Sequence, residues 1–360
     1  MTKYLIILGI AMALMAFMMV YLSQIARNIG LVDKPSIRKL HTREVPLIGG
    51  IGIGTIFFLS MLLMPFSLRD YRLMFFSGSL LLIIGILDDR RDTPASAKLL
   101  GQVGVCAILV TLGDLRVSEI GDVFALGIDQ GLSILAVPFT ILGLVAVINA
   151  FNMIDGHDGL AGGTCLISLT ALAFLCYRAG LWDSFGILIL LSGLVGIFLL
   201  FNLGIFGATR QVFLGDAGSM FLGLMLGIFL IRLNDWPMPE NIAGLGDVLL
   251  KTTAAPWIIG LPLADMISSM CRRLFGYQPV MQADRGHIHH RFDSLGYHRL
   301  TTLIVLLCVH AMFALVGVLG TLQDWPDVYL FWTPLILISV YVSHDVYRQK
   351  RLFARSWKND

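Results

Sequence analysis

Charge is what this 360-residue chain has least of: 14% of its residues are Asp, Glu, Lys or Arg, against 57% hydrophobic ones. A soluble domain carries about 25% charge, so a water-soluble globule is excluded and an all-α, polytopic membrane protein is expected. A net charge of +2 offers no basic field for nucleic acid. Cysteine is sparse as well. The five present, Cys106, Cys165, Cys176, Cys271 and Cys308, form neither CxxC pairs nor a disulfide pattern and read as small core or lipid-facing residues. No internal repeat or low-complexity linker interrupts the chain, which predicts one integral membrane domain over residues 1–360. The apolar run from Tyr4 to Ala26, 23 residues long, is too long for a signal h-region and long enough to span.

Apolar segments able to cross a bilayer lie at about 4–26, 45–66, 72–87, 99–113, 131–150, 160–177, 184–204, 214–231, 252–270, 300–321 and 328–344. That makes eleven spans. Segments 72–87 and 99–113 fall short of the ~20 residues a span needs, so ten is the lower count. With eleven, nineteen of the 26 Lys and Arg residues fall on the side of loops 27–44, 88–98, 151–159, 205–213, 271–299 and the tail after 344. The positive-inside bias makes that side cytoplasmic, with the N-terminus out and the C-terminus in.

Every polar cluster that reads as chemistry falls on the same side. The most informative is Asn149-Ala-Phe-Asn-Met-Ile-Asp-Gly-His-Asp-Gly-Leu160, set between uncharged stretches 131–148 and 161–177. A continued helix would put Asn149, Asn152 and Asp155 on roughly one face, and Gly156 and Gly159 would let the backbone turn or approach a ligand. A plain turn explains Asp-Gly twice but not two asparagines one turn apart. The expected role is to hold a metal and a nucleotide at the membrane surface.

Asp88 and Asp89 follow directly on the apolar run 80–87. Adjacent carboxylates repel unless a cation holds them, and magnesium takes carboxylate oxygens together with water and substrate phosphates. The bland alternative is a solvated helix end neutralised by Arg90 and Arg91. Asp216, flanked by Gly215 and Ala217-Gly-Ser219, is either a helix N-cap or an unobstructed metal ligand. His287, His289 and His290 with Arg285 and Arg291 lack the spacing of a zinc site and suit a nucleotide diphosphate, or else form a basic loop against anionic lipid. Lys98 opens a span in the same layer as Asp88. The basic loop with Lys39 and His41 offers counterions for a lipid phosphate, although topology alone accounts for its charge. Asp265 lies inside an apolar run and is expected to face the bundle, paired with Arg272 or Arg273.

Taken together, DKPSIRKLH with PLIGG, DDRRD, NAFNMIDGHDGL, FLGDAGS and ADRGHIHHR resemble, in order and spacing from residue 33 to about 299, the polyprenyl-phosphate N-acetylhexosamine-1-phosphate transferases. Ile288 interrupts the run of three adjacent histidines typical of the phospho-N-acetylmuramoyl-pentapeptide branch. The His loop is closer to that of the undecaprenyl-phosphate N-acetylglucosaminyl-1-phosphate transferases. The resemblance implies transfer of a sugar 1-phosphate from a UDP-N-acetylhexosamine to undecaprenyl phosphate, releasing UMP, in a bacterial cytoplasmic (inner) membrane with the site on the cytoplasmic face. It implies Mg²⁺, with Mn²⁺ as a substitute, and leaves room for a homodimer. By position, Asp216 and Asn152 match metal ligands, and Asp88 and Asp89 match the acidic pair beside the metal and the acceptor. Asp155 and Asp158 match the uridine and diphosphate region. His287, His289, His290 and Arg291 match the diphosphate-sugar loop, and Lys98 a basic residue near the phosphates, with Asn149, Lys39 and His41 as further substrate contacts. On this reading Asp216 and Asn152 must come close enough to share one ion. The competing class is a transporter of an anionic substrate, which would want a midplane site and repeat symmetry.

Overall fold

The structure, a computed structural model, describes residues 2–34, 43–91, 93–235, 250–275 and 286–356. It is all-α apart from one two-stranded ribbon. In chain order come α1 (Thr2–Ile29), the antiparallel pair β1 (Val32–Asp33) and β2 (Val45–Pro46), α2 (Gly49–Met61), α3 (Arg72–Arg91) and α4 (Ala95–Leu112). They are followed by α5 (Ala136–Met153), α6 (Leu160–Arg178), α7 (Trp182–Asn202) and α8 (Gly215–Asp235). The chain closes with α9 (Ala255–Ile258), α10 (Gly260–Phe275), α11 (Ile288–Ser294), α12 (Arg299–Leu322) and α13 (Asp327–Ser356).

Among the described residues nine helices are long and apolar enough to cross a membrane, or ten if the bent pair α9–α10 counts as one span. The chain is a multi-pass membrane protein. The two short segments of the sequence reading become full helices, 24 residues over Leu68–Arg91 and 18 over Ala95–Leu112. Segment 45–66 yields the 13-residue α2, about 20 Å at 1.5 Å per residue, which together with residues 62–67 carries the chain from one end of the bundle to the other although the helix alone is shorter than a usual span.

The predicted span 252–270 is broken by 81°. Pro262 carries no N–H, so the carbonyl of Ile258 four residues earlier has no helical donor. Ser168 Oγ on α6 donates to that carbonyl at 2.8 Å, and His310 Nε2 on α12 lies 3.1 Å from the same hydroxyl. Backbone polarity freed inside an apolar bundle is thus satisfied by neighbouring helices, as lipid requires.

α8 is the central helix, buried along nearly its whole apolar length, as its all-round hydrophobicity predicts. Its small residues allow backbone contact. A Cβ on Gly50 of α2 would lie 2.1 Å from the amide nitrogen of Gly218, and one on Gly85 of α3 would lie 2.3 Å from Ala217 Cα. The Pro46–Gly50 segment adds main-chain bonds: Phe213 N donates to Pro46 O, and Gly49 N and Gly50 N donate to Phe213 O and Leu214 O, each at 2.9 Å. Thus PLIGG clasps the FLGDAGS segment and fixes where α8 begins. The C-terminal ends of α3, α5 and α7 and the N-terminal ends of α4, α6 and α8 meet at this same end of the bundle.

Candidate active site

The first turn of α8 is the centre of the site. Gly215 has φ +73°, a left-handed conformation that glycine adopts without strain, and it delivers Asp216 into the first helical turn. Four N–H groups at a helix start lack intrahelical partners. Here a remote carboxylate answers two of them: Asp216 N and Ala217 N donate to Asp89 Oδ1 and Oδ2 at 2.7 and 3.1 Å. Asp89 therefore caps α8 from α3, and both its oxygens are engaged.

Its neighbour Asp88 points the other way. Lys98 Nζ donates to Asp88 Oδ2 at 2.7 Å and also to Asp216 Oδ2, so one ammonium joins the ends of α3, α4 and α8. Thr93 N donates to Asp88 Oδ1 at 2.9 Å, and the Thr93 hydroxyl bonds the same oxygen. Lys98 supplies the positive charge beside Asp88, while Arg90 and Arg91, offered by the bland alternative, line the cavity.

Asn152 completes the cluster from α5. Its Nδ2 donates to Asp216 Oδ1 at 2.8 Å and to Ser219 Oγ at 2.9 Å. The closeness required of Asn152 and Asp216 is therefore met. Asn149, one turn earlier, is turned elsewhere. Its Nδ2 donates to Gln102 Oε1 on α4 at 2.6 Å and to Val145 O at 2.8 Å. The half-buried Asn149 amide thus makes an interhelix bond where a substrate contact was expected.

A cavity of about 800 Å³ opens over this cluster and is lined by Asp88, Asp89, Asp155, Asp158, Asp216 and His290, among others. The loop between α5 and α6 forms one wall. Asn202, at the end of α7, fastens it: Gly159 N donates to Asn202 Oδ1 at 2.7 Å, and Asn202 Nδ2 donates to Val212 O at 2.9 Å. Gln211 Nε2 donates to Asp158 Oδ2 at 3.1 Å, and Arg299 lies 3.9 Å from the same oxygen. Asp155 stands among carboxylates. Desolvation by the surrounding protein, then the charges of Asp216, Asp89 and Asp158, raise its pKa well above the ordinary carboxylate range. Its surface remains open to the cavity, so the neighbouring charges are the more durable of these causes.

The histidine loop divides. His290 lines the cavity. His287 is held from below, Nδ1 lying 2.8 Å from Asp265 Oδ2, while Ile288 N donates to Asp265 Oδ1 at 2.8 Å. Asp265 is thus paired with His287 and caps α11; the expected pairing with Arg272 or Arg273 is corrected. Arg272 and Arg291 both pair with Asp345 of α13, which takes Arg291 out of the diphosphate contacts expected for it. His289 is 1% exposed and wedged under the Asp155–Gly156 turn, where a Cβ on Gly156 would sit 2.7 Å from its ring. Burial, then the neighbouring His290, press its pKa down to about 3; its ring packs beneath the turn and does not line the cavity, where a direct substrate contact was expected. Lys39 and His41 lie outside the described residues.

Thr93, Asn202, Gln211 and Arg299 were missed in the sequence. Asn202 carried a usable signal, a polar amide closing an apolar run, as Asn152 does; the others sit among ordinary loop residues.

Comparison with known proteins places the chain in a family. The profile described as Glycosyl transferase family 4 matches residues 71–234. Over 96% of this chain and 94% of the relative, the sequence is 31% identical to the undecaprenyl-phosphate alpha-N-acetylglucosaminyl 1-phosphate transferase of Yersinia pestis. The chain belongs to the polyprenyl-phosphate N-acetylhexosamine-1-phosphate transferase family. The Escherichia coli (strain K12) transferase of the same name is 31% identical over 87% of this chain and 82% of its own. A probable undecaprenyl-phosphate N-acetylglucosaminyl 1-phosphate transferase of Bacillus subtilis (strain 168) is 30% identical over 88% and 85%. As a member of this family the protein is a sugar-1-phosphate transferase. The transporter alternative finds no support, since the polar clusters share one end of the bundle and these relatives are transferases by name.

Proposed function

We propose that the chain transfers an N-acetylhexosamine 1-phosphate, N-acetylglucosamine 1-phosphate foremost, from its UDP-sugar to undecaprenyl phosphate. The products are undecaprenyl-diphosphate-sugar and UMP, formed at the cytoplasmic face of a bacterial inner membrane. The observation that carries it is the Lys98 bridge between Asp88 and Asp216, with Asn152 on Asp216 at 2.8 Å, beneath a cavity of about 800 Å³. A cationic and anionic centre at a helix start suits phosphate esters and a divalent cation together.

Among the described residues no three His, Cys, Asp or Glu side chains are grouped to enclose a metal. That fits Mg²⁺, which takes one or two carboxylates and fills its shell with water and substrate phosphates. Asp216 and the carbonyl oxygen of Asn152 are the residues to hold it, the Asn152 amide nitrogen being spent on Asp216 and Ser219. When bound, the ion lowers the charge on the diphosphate and on departing UMP.

The protein's own part is positioning. A phosphate oxygen of the lipid attacks the β-phosphorus, the bond from that phosphorus to the bridging oxygen breaks, and UMP leaves with that oxygen. A phosphate monoester has its second pKa near ~6, so the acceptor is ionised at neutral pH and needs no base. Asp88, held by Thr93 and Lys98, orients the centre, and Lys98 meets the phosphates. Both Asp89 oxygens face main-chain amides, which favours direct displacement over a covalent intermediate on Asp89. The test incubates purified protein with UDP-GlcNAc, undecaprenyl phosphate and Mg²⁺. UMP release that needs both lipid and metal supports the proposal; no UMP from any UDP-N-acetylhexosamine refutes it.

A further inference from the structure

A second cavity, of about 990 Å³, lies at the opposite end of the bundle. It is built on the far ends of α3, α4 and α8, whose near ends carry Asp88, Lys98 and Asp216. Four arginines surround it: Arg69 and Arg72 before and at the start of α3, Arg116 after α4, and Arg232 on the last turn of α8. In the topology read from the sequence this end has only seven of the chain's 26 basic residues, so four of the seven converge on one hollow. Asp70 and Asp114 are the acidic residues lining it, which leaves a formal excess of two positive charges.

The arginines are arranged, not scattered. Arg232 donates to Asp70 O at 3.1 Å with its guanidinium 4.4 Å from the centre of the Tyr71 ring. Arg72 Nε donates to Arg69 O at 3.1 Å, and Arg116 pairs with Asp114. The remaining walls are apolar. Met74, Leu109 and Ile228 are buried, while Phe76 and Leu112, 54% and 72% exposed, face the outside of the bundle.

We propose that this cavity binds the phosphate headgroup of an anionic lipid from the leaflet opposite the active site, its hydrocarbon chain following Phe76 and Leu112. Guanidinium groups match phosphate oxygens in pairs. Positive charge on this face runs against the usual bias of membrane proteins and so calls for a local reason. Arginines that merely snorkel to the interface would spread around the bundle, whereas these come from three helices to one place. A soluble anion would have no use for the apolar walls that open sideways.

The experiment measures lipid binding to the detergent-purified full chain by native mass spectrometry, with phosphatidylglycerol, phosphatidylcholine and inorganic phosphate as probes. Phosphatidylglycerol is expected to bind at least about tenfold tighter than phosphatidylcholine, from roughly fivefold per engaged basic residue. The R69Q/R116Q variant should lose that preference while its melting temperature stays put. Both side chains are exposed, and if the double variant does not fold, R69Q and R116Q singly should each lose about fivefold. Equal binding of the two lipids, or a preference that survives the substitutions, overturns the proposal. Displacement of phosphatidylglycerol by inorganic phosphate at similar concentration overturns it too, in favour of a soluble-anion site.

Discussion

At the scale of single residues, the adjacent acids Asp88 and Asp89 do different work and their variants should separate. Asp89 accepts the Asp216 and Ala217 amides, so D89A removes a cap worth about 1–2 kcal/mol and moves the helix that carries Asp216. It should lower the melting temperature and abolish UMP release together. D88N leaves the α8 cap intact but weakens the Lys98 pair, so it should lose activity out of proportion to a smaller drop in melting temperature than D89A shows. If D88N activity instead recovered steeply with rising pH, Asp88 would be acting as a base and the positioning role assigned to it would be wrong. His289 gives a prediction in acid. Its pKa is pressed from the ordinary 6.5 down to about 3, so the fold favours the neutral ring. That contribution is complete above pH ~6.5 and is lost as pH falls from there toward the folded value, by roughly 2 kcal/mol at pH 5. H289F, which keeps a flat ring, should show a smaller drop in melting temperature between pH 7.5 and pH 5 than the parent; an equal drop would remove His289 as the cause.

At the scale of elements, the site depends on how closely α2, α3 and α8 approach. G50A and G85A would each force a methyl into another helix's main chain, at 2.1 and 2.3 Å, where nothing can rotate away. Each should cost several kcal/mol and leave little folded protein by size-exclusion chromatography. G104A and G143A, whose added methyls meet nothing within 4 Å, should be neutral or gain about 1 kcal/mol from helix propensity. Asn149 and Gln102 share one bond, so N149A and Q102A should be non-additive in melting temperature, with UMP release retained in both. These contacts explain what could be read beforehand. Helix positions were legible because lipid forces long apolar runs, and Asp216 and Asn152 because polar groups at the end of such a run are conspicuous. Pairings were not legible. Nothing in DDRRD tells that one aspartate takes Lys98 and the other the α8 amides, since that depends on which helix ends meet. Likewise a 13-residue helix and a whole span look alike in hydropathy, and only the bonds from Gly49 and Gly50 to Phe213 and Leu214 show that α2 is pinned as part of the site.

At the scale of the whole molecule, orientation follows from where the charges lie relative to the chemistry. Nineteen of 26 basic residues fall, in the topology read from the sequence, in the loops that carry the Lys98–Asp88–Asp216 cluster, and a nucleotide-sugar donor is available only in the cytoplasm. The proposed cytoplasmic site therefore predicts the 205–213 segment inside and the 114–132 segment outside. A maleimide that cannot cross the membrane distinguishes them in intact spheroplasts, using Thr209 and Ser118, which are both exposed. S118C should label at once, and T209C only after the membrane is permeabilised. Of the native cysteines, Cys106, Cys165 and Cys176 are buried and should stay silent in both conditions, while the half-buried Cys271 and the exposed Cys308 are first replaced by serine. The reverse pattern would place the site facing away from its nucleotide donor. Equal labelling of both positions before permeabilisation would show that the spheroplasts leak. Arg27, whose guanidinium donates to Thr209 O at 3.0 Å, supplies a second inside position as R27C in an intact preparation. Labelling of R27C alongside T209C, and after S118C, ties the charge bias and the catalytic end to the same face of the membrane.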